Sequence, residues 1–228
     1  RLLTTIVNGV LILKPIYVML PMKNRDFLII GHPRGGTGYS SKLFKTFGFD
    51  VGHEKVYSSG ISSWCFVPPD GYNVWGDHNR RNEYNFKWTF RAIRNPLNTI
   101  NSLVKNNEDP KSIEMFEKWS GYTLTETDPL RRAIQRYFYW EEVIEYWNNY
   151  IDFSFRVEDQ QKDLYHYLIS IGYKPFYHMG ADAINEHIVG RNINTRPKSH
   201  MFTLNDIPKG YKEKVKEKII KYGYSLES

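Results

Sequence analysis

The stretch GHPRGGTGYS, residues 31–40, lies between the apolar run Phe27-Leu28-Ile29-Ile30 and Lys42-Leu43-Phe44. It reads as a strand, a glycine-rich turn and a helix. A helix N-terminus presents unpaired N–H groups and the positive end of the helix dipole, which favour an anion. Gly35, Gly36 and Gly38 permit a tight turn and a close approach of backbone to ligand, and Thr37 and Ser40 offer hydroxyl donors. Arg34 adds a permanent charge whose planar fork matches phosphate or sulfate oxygens. In the ATP-binding pattern G-x-x-x-x-G-K-[ST], Gly31 and Gly36 have the right spacing. Thr37, however, stands where the lysine is required, and Gly38 where the magnesium-binding hydroxyl is required. The stretch therefore points to a phosphate-bearing ligand bound without Mg²⁺; a purely structural glycine turn is the plainer alternative.

A second anchor follows the run FKWTFRAI, residues 86–93, which alternates as a strand. Arg94 comes directly after it, Pro96 suits the first turn of a helix to about Lys105, and Ser102 lies eight residues beyond Arg94. Ligands of open α/β sheets bind at the carboxyl ends of strands. Arg94 is thus expected to face the same cleft as Arg34, with Ser102 about two turns along the helix sharing its phosphate. Two such anchors suit a nucleotide carrying two separate phosphate groups.

These residues resemble a known family. Pro33-Arg34-Gly35-Gly36-Thr37-Gly38-Tyr39 is similar to the 5′-phosphosulfate loop of sulfotransferases that use 3′-phosphoadenosine 5′-phosphosulfate (PAPS). Arg94-Asn95-Pro96 through Ser102 is similar to their 3′-phosphate site. Phe155-Arg156-Val157-Glu158-Asp159 resembles a later strand ending in an acidic pair, and Asn194-Thr195-Arg196 a C-terminal segment of a bacterial-type branch. Many members carry lysine at the place of Arg34 and a second hydroxyl residue at that of Gly38. The cytosolic branch's C-terminal Arg-Lys-Gly loop is not visible, and Arg196 or Lys198 is the candidate substitute.

The resemblance implies a P-loop-like sulfotransferase fold spanning residues 26–228. It also implies PAPS as sulfuryl donor, adenosine 3′,5′-bisphosphate as product, no metal, and a small-molecule or glycan acceptor with a hydroxyl or amine. Arg34, Gly35, Gly36, Thr37, Gly38, Tyr39, Arg94, Ser102 and Arg196 are then the cofactor-binding residues. Arg34 also meets charge developing at the reacting centre. A general base must take the acceptor's proton. Glu54, twenty residues beyond Arg34, is the first candidate, His53 the second, and Asp77 with His78 the third.

The elements that must position these groups are α/β in character: strands near 26–31, 86–93 and 151–157, and helices at 40–47, 96–105, 161–171 and 209–222. Ala133, Tyr137, Trp140, Ile144 and Trp147 recur at helical steps as an apolar face. Residues 49–82 read as an irregular, functional loop, with Tyr57, Trp64, Phe66, Tyr72 and Trp75 as either cleft-lining or core rings. No repeat or linker divides the 228 residues, so one α/β domain with a mostly parallel central sheet is expected. The net charge of +6 and the absence of a Lys/Arg block favour an anionic small ligand and speak against nucleic acid. One cysteine, Cys65, excludes an internal disulfide and fits a reducing, cytoplasmic compartment. No Cys/His cluster has metal-ligand spacing. Residues 2–20 are apolar but interrupted by Lys14 and Pro15, so an interfacial or buried N-terminal element over 1–25 is expected rather than a span. Two other readings stay open: a P-loop phosphotransferase with an altered loop, and a non-catalytic nucleotide- or glycan-binding module.

Overall fold

Phe27, Leu28, Ile29 and Ile30 are buried on both faces of a strand, and the sheet is built around them. The computed structural model describes residues 2–7, 10–15, 21–73, 75, 77–105, 109–176 and 201–226. Strands β1 (Leu2–Val7) and β2 (Val10–Pro15) pair antiparallel within the N-terminal apolar segment. The main sheet contains β3 (Lys23–Gly31), β4 (Val51–His53), β5 (Gly60–Ser62), β6 (Tyr84–Ile93) and β7 (Phe153–Arg156). Its order is β4-β5-β3-β6-β7, and every pairing is parallel.

Helices cover both faces, as a buried parallel sheet requires. Phe27 and Ile29 pack with Phe90, Phe155 and residues of α1 (Thr37–Thr46) and α5 (Gln161–Ser170). Leu28 and Ile30 pack on the other face with Trp64, Phe116 of α3 (Pro110–Ser120) and Trp140 of α4 (Pro129–Tyr146). A third cluster joins α4 to α2 (Pro96–Val104) and α6 (Lys209–Lys221). Among the described residues, no helix is long and apolar enough to cross a membrane.

The structure departs from the sequence reading in two places that matter for the site. Helix α1 begins at Thr37, not at residue 40, because Gly36 takes the left-handed conformation (φ 99°) that starts it. Thr37, Gly38 and Tyr39 are therefore the helix's first turn. The region 49–82 is also not wholly irregular: it contributes β4 and β5, with Glu54 directly after β4.

Beneath the turn lies a buried ionic cluster. His32 Nε2 donates to Glu141 Oε2 on α4 at 2.7 Å, and the acceptor carboxylate fixes the proton on that nitrogen. Arg91 Nη2 of β6 lies 2.9 Å from both Glu141 oxygens. Lys218 Nζ on α6 approaches Glu141 at 3.4 Å, and the Tyr222 hydroxyl donates to the same carboxylate. The His32 ring stacks on Tyr137 at 4.4 Å. Hydrogen bonds and these cations hold the Glu141 carboxyl far below the usual range despite its burial, while burial lowers the pKa of His32. Removing one partner from such a cluster leaves an uncompensated buried charge. Glu141→Ala is expected to cost about 3–5 kcal/mol of stability in chemical denaturation. An unchanged midpoint would show that the cluster does not hold the turn in place.

Candidate functional site

Each of the five parallel strands delivers a residue to one cleft just beyond its carboxyl end: Arg34 after β3, Glu54 after β4, Trp64 after β5, Arg94 after β6 and Val157 after β7. The cleft has a volume of about 670 Å³. It lies where ligands of parallel sheets bind.

The turn brings a helix N-terminus to the cleft. Gly35 closes it by donating its N–H to the His32 carbonyl at 2.9 Å. At Gly36 a Cβ would lie 2.9 Å from Val157 Cγ1, so only glycine fits both the contact and the left-handed φ. The first-turn N–H groups of α1 have no intrahelical acceptor and open toward the cleft. Thr37, Gly38 and Tyr39 all line it. The Ser40 hydroxyl, expected to reach the ligand, instead donates to the Gly36 carbonyl at 3.0 Å, and Ser40 is fully buried. Tyr39 is positioned by Gln161 Nε2, which donates to its hydroxyl at 3.0 Å.

The two arginines share the cleft and are linked to each other. Arg94 Nη1 donates to the Arg34 carbonyl at 3.1 Å, and Arg34 Nε donates to Ser102 Oγ at 3.1 Å. Ser102, expected beside the Arg94 phosphate, is thus held by Arg34 and joins α2 to the turn. Burial lowers the pKa of Arg94, and Glu158 and the Tyr224 hydroxyl oppose that shift. Asn95 caps α2 by accepting from Leu97 N, and its own N–H donates to Glu158 Oε1 at 3.0 Å, which fixes the backbone on which Arg94 sits.

Glu54 and His53 stand opposite the turn. The Glu54 side chain is 14% exposed, and burial raises its pKa to about 7 although Ser63, Cys65 and Trp64 N–H donate to it. The Ser63 hydroxyl lies 2.5 Å from Glu54 Oε2. Arg34 (φ 64°) and Glu54 (φ 52°) both hold left-handed backbone conformations, a strain that persists only where the surroundings impose it. His53 Nε2 lies 3.3 Å from Thr37 Oγ1 and 3.8 Å from Glu54 Oε1. Burial and the charges of Arg34 and Lys42 lower its pKa, so the ring is neutral near pH 7. A Cβ at Gly38 would lie 3.3 Å from His53 Cε1, so the ring occupies the space a larger residue at 38 would need.

His78 is exposed and does not line the cleft. Asp77 accepts from Val56 N–H, Asn73 Nδ2 and Asn79 N–H, which assigns it to holding the 54–79 loop rather than to proton transfer. Of the rings left between cleft and core, Phe66 is core, Trp64 lies at the cleft's edge with 5% exposure, and Trp75 is exposed beside it at 5.9 Å. Tyr72 is turned inward, donating to Met115 Sδ at 3.2 Å. Arg196 and Lys198 lie outside the described residues. Among the described residues no three His, Cys, Asp or Glu side chains gather to hold a metal ion. The sequence reading missed Arg136, which lines the cleft from α4 while almost wholly buried. Its only signal was an arginine inside the apolar periodicity of that helix.

No protein-family model matches the sequence, and no curated protein matches it. Among solved structures, the crystal structure of mouse sulfotransferase SULT7A1 complexed with PAP is similar at 12% identity and a TM-score of 0.28. That similarity covers 85% of this chain, which spans 63% of the other.

A carboxyl raised by burial has a definite effect on stability. Its contribution is fully present below the unfolded value, near 4.5, and is lost as pH rises through about 7, where the folded protein must carry the buried charge. Glu54→Gln is therefore expected to raise Tm at pH 8 and to change it little at pH 4.5. A variant that melts lower than wild type at pH 8 would overturn the assignment of a strained, buried carboxylate.

Proposed function

We propose that the protein is a sulfotransferase that moves a sulfuryl group from PAPS to a hydroxyl or amine of a small-molecule or glycan acceptor, without a metal. The observation that carries this reading is the convergence of Arg34, at the start of α1, and Arg94, before α2, on one cleft that also contains Glu54. The residues fit such a donor. The first turn of α1 and Arg34 suit a 5′-phosphosulfate, and Arg94 with the α2 N-terminus suits a second, separate phosphate. A Walker lysine and magnesium-binding hydroxyl are absent from positions 37 and 38, which argues against a phosphotransferase.

The donor supplies the sulfuryl group: the acceptor atom bonds to sulfur as the bond from sulfur to the 5′-phosphate oxygen breaks, and the bisphosphate leaves. Glu54, ionised above about pH 7, receives the acceptor's proton. Arg34 and the α1 amides face the oxygen on which negative charge grows. His53, neutral and 3.3 Å from Thr37, orients that hydroxyl toward the same oxygens and is the second candidate for the proton. Trp75 and Trp64 border the acceptor's side of the cleft.

Adenosine 3′,5′-bisphosphate without magnesium, at about a hundredfold excess over Kd, should stabilise the protein by about 2.7 kcal/mol. Arg94→Ala should abolish the shift. Absence of a shift in wild type, or a shift that requires magnesium, would remove this reading. With a donor and an accepted substrate, turnover should rise with pH to a plateau above about 7. Glu54→Gln should cut it by roughly 10²-fold or more and flatten that rise. If Glu54→Gln keeps the wild-type profile while His53→Ala loses it, His53 is the base.

A further inference from the structure

Arg136 is 1% exposed, yet it lines the cleft. Its Nη2 donates to the Ser112 hydroxyl and lies 3.5 Å from the Ser112 carbonyl. Among the described residues its Nε and Nη1 have no hydrogen-bond partner, and no carboxylate lies within ion-pair distance of it. The planar group sits 5.5 Å from the Phe116 ring centre. Burial pulls its pKa down to about 10, and Arg132, one turn away on α4, acts in the same direction. An arginine stays charged at that value, and an isolated buried charge is costly unless something compensates it.

The first turn of α3 meets this guanidinium. Helix α3 is 11 residues long, and its N-cap, Asp109, makes no side-chain capping bond. Asp109 and Ser112 line the cleft beside Arg136. Asp109 is exposed and offsets the Arg136 charge only from a distance, and its carboxylate has no hydrogen bond or ion pair among the described residues. An uncapped helix N-terminus and a buried, unpaired guanidinium together form an anion site with two independent sources of positive potential.

We propose that this inner end of the cleft is a second anion site, formed by Arg136, Ser112 and the α3 N-terminus, that binds a carboxylate or sulfate group on the acceptor. The anion site stands on this geometry, and giving its anion to the acceptor rests on the sulfotransferase reading above. A chain of ring contacts joins this site to Trp75, the exposed ring offered to the acceptor in that reading. Phe116, under Arg136, packs on Trp140 at 5.7 Å, Trp140 on Trp64 at 5.0 Å, and Trp64 on Trp75 at 5.9 Å. The donor's two anchors, Arg34 and Arg94, are linked to each other instead. An acceptor that stacks on Trp75 and carries an anion would displace Asp109 from the field of Arg136 and take its place. Acidic sugars have that shape and charge.

Glucuronate, glucose 6-sulfate and glucose distinguish the cases when titrated against the whole chain by thermal shift and calorimetry, without and then with adenosine 3′,5′-bisphosphate. The charged sugars should bind about tenfold more tightly than glucose, the gain expected for a charge-assisted hydrogen bond. Whichever of the two binds better assigns the site to carboxylate or sulfate. Arg136→Gln should erase the preference, and Asp109→Asn, which removes the competing carboxylate, should widen it. Arg136→Met keeps the stem against Phe116 and should melt at or above the wild-type temperature. Equal binding of charged and neutral sugars by wild type, or a preference that survives in Arg136→Gln, would overturn the site. So would an Arg136→Met protein that melts lower while Asp109→Asn leaves the preference unchanged. The arms without bisphosphate bear on this site alone, and failure of the bisphosphate to bind removes only the donor reading.

Discussion

The buried carboxylate of Glu141 is the constraint on which the cleft depends. It binds His32 at the start of the turn, Arg91 on β6 beside the central strand β3, and Lys218 and Tyr222 at the end of α6. The last described segment continues the link. Arg156 Nη1 donates to the carbonyls of Tyr222 and Gly223, and the Tyr224 hydroxyl donates to Glu158 at 2.6 Å. The carboxyl ends of β6 and β7, which carry Arg94 and Glu158, are thereby tied to the same helix that contacts Glu141. A buried ionic cluster of this kind adds little net stability compared with a well-packed apolar one. Its value here is geometric: it permits few arrangements of turn, strand and C-terminal helix.

The turn itself accommodates a side chain from a neighbouring strand. Gly38 leaves room for an imidazole, and His53 from β4 fills it, with Nε2 close to Thr37 Oγ1. A polar atom thus reaches the first turn of α1 from a neighbouring strand rather than from the turn's own sequence. The same strand end places Glu54 behind His53 in a buried, hydrogen-bonded setting that raises its pKa toward neutrality. Two adjacent residues at the end of β4 therefore meet the cleft in different ways, one through a neutral ring and one through a carboxyl whose pKa lies near neutrality.

What the sequence revealed and what it hid follow from the range of the interactions. The strand at Phe27–Ile30, the turn, and the Arg94-Asn95-Pro96 opening of α2 are local patterns, and each could be read from a few neighbouring residues. The start of α1 was misplaced because Gly36 acts as its left-handed cap, a role its residue type alone does not distinguish from a loop glycine. Strands β4 and β5 are three residues each and contain glycine, too short for alternation to show. The connection between them is also well under the dozen or so residues usual for parallel strands. Helix α3 was overlooked among polar residues, because only Ser112, Met115 and Phe116 of its length are buried. His32 and Glu141 carried no signal, and Arg136 only that of an arginine within the apolar periodicity of α4. His32 and Glu141 are 109 residues apart, and only the packing of α4 against β3 makes either of them part of the site.

Among the described residues, three arginines, Arg34, Arg94 and Arg136, and three carboxylates, Glu54, Asp109 and Glu158, line the cleft. Arg34 and Arg94 are linked through the Arg34 carbonyl, and Arg136 lies against the Phe116 ring. Glu54 is a titratable carboxyl of the same cleft, and its raised pKa shows that burial outweighs the hydrogen bonds from Ser63, Cys65 and the Trp64 N–H. Arg91, by contrast, is paired with a structural carboxylate, Glu141. Glu158 instead bonds to the Asn95 N–H and the Tyr224 hydroxyl, and Asp109 stays exposed. An anion binding in the cleft would stabilise the fold as well as occupy the site.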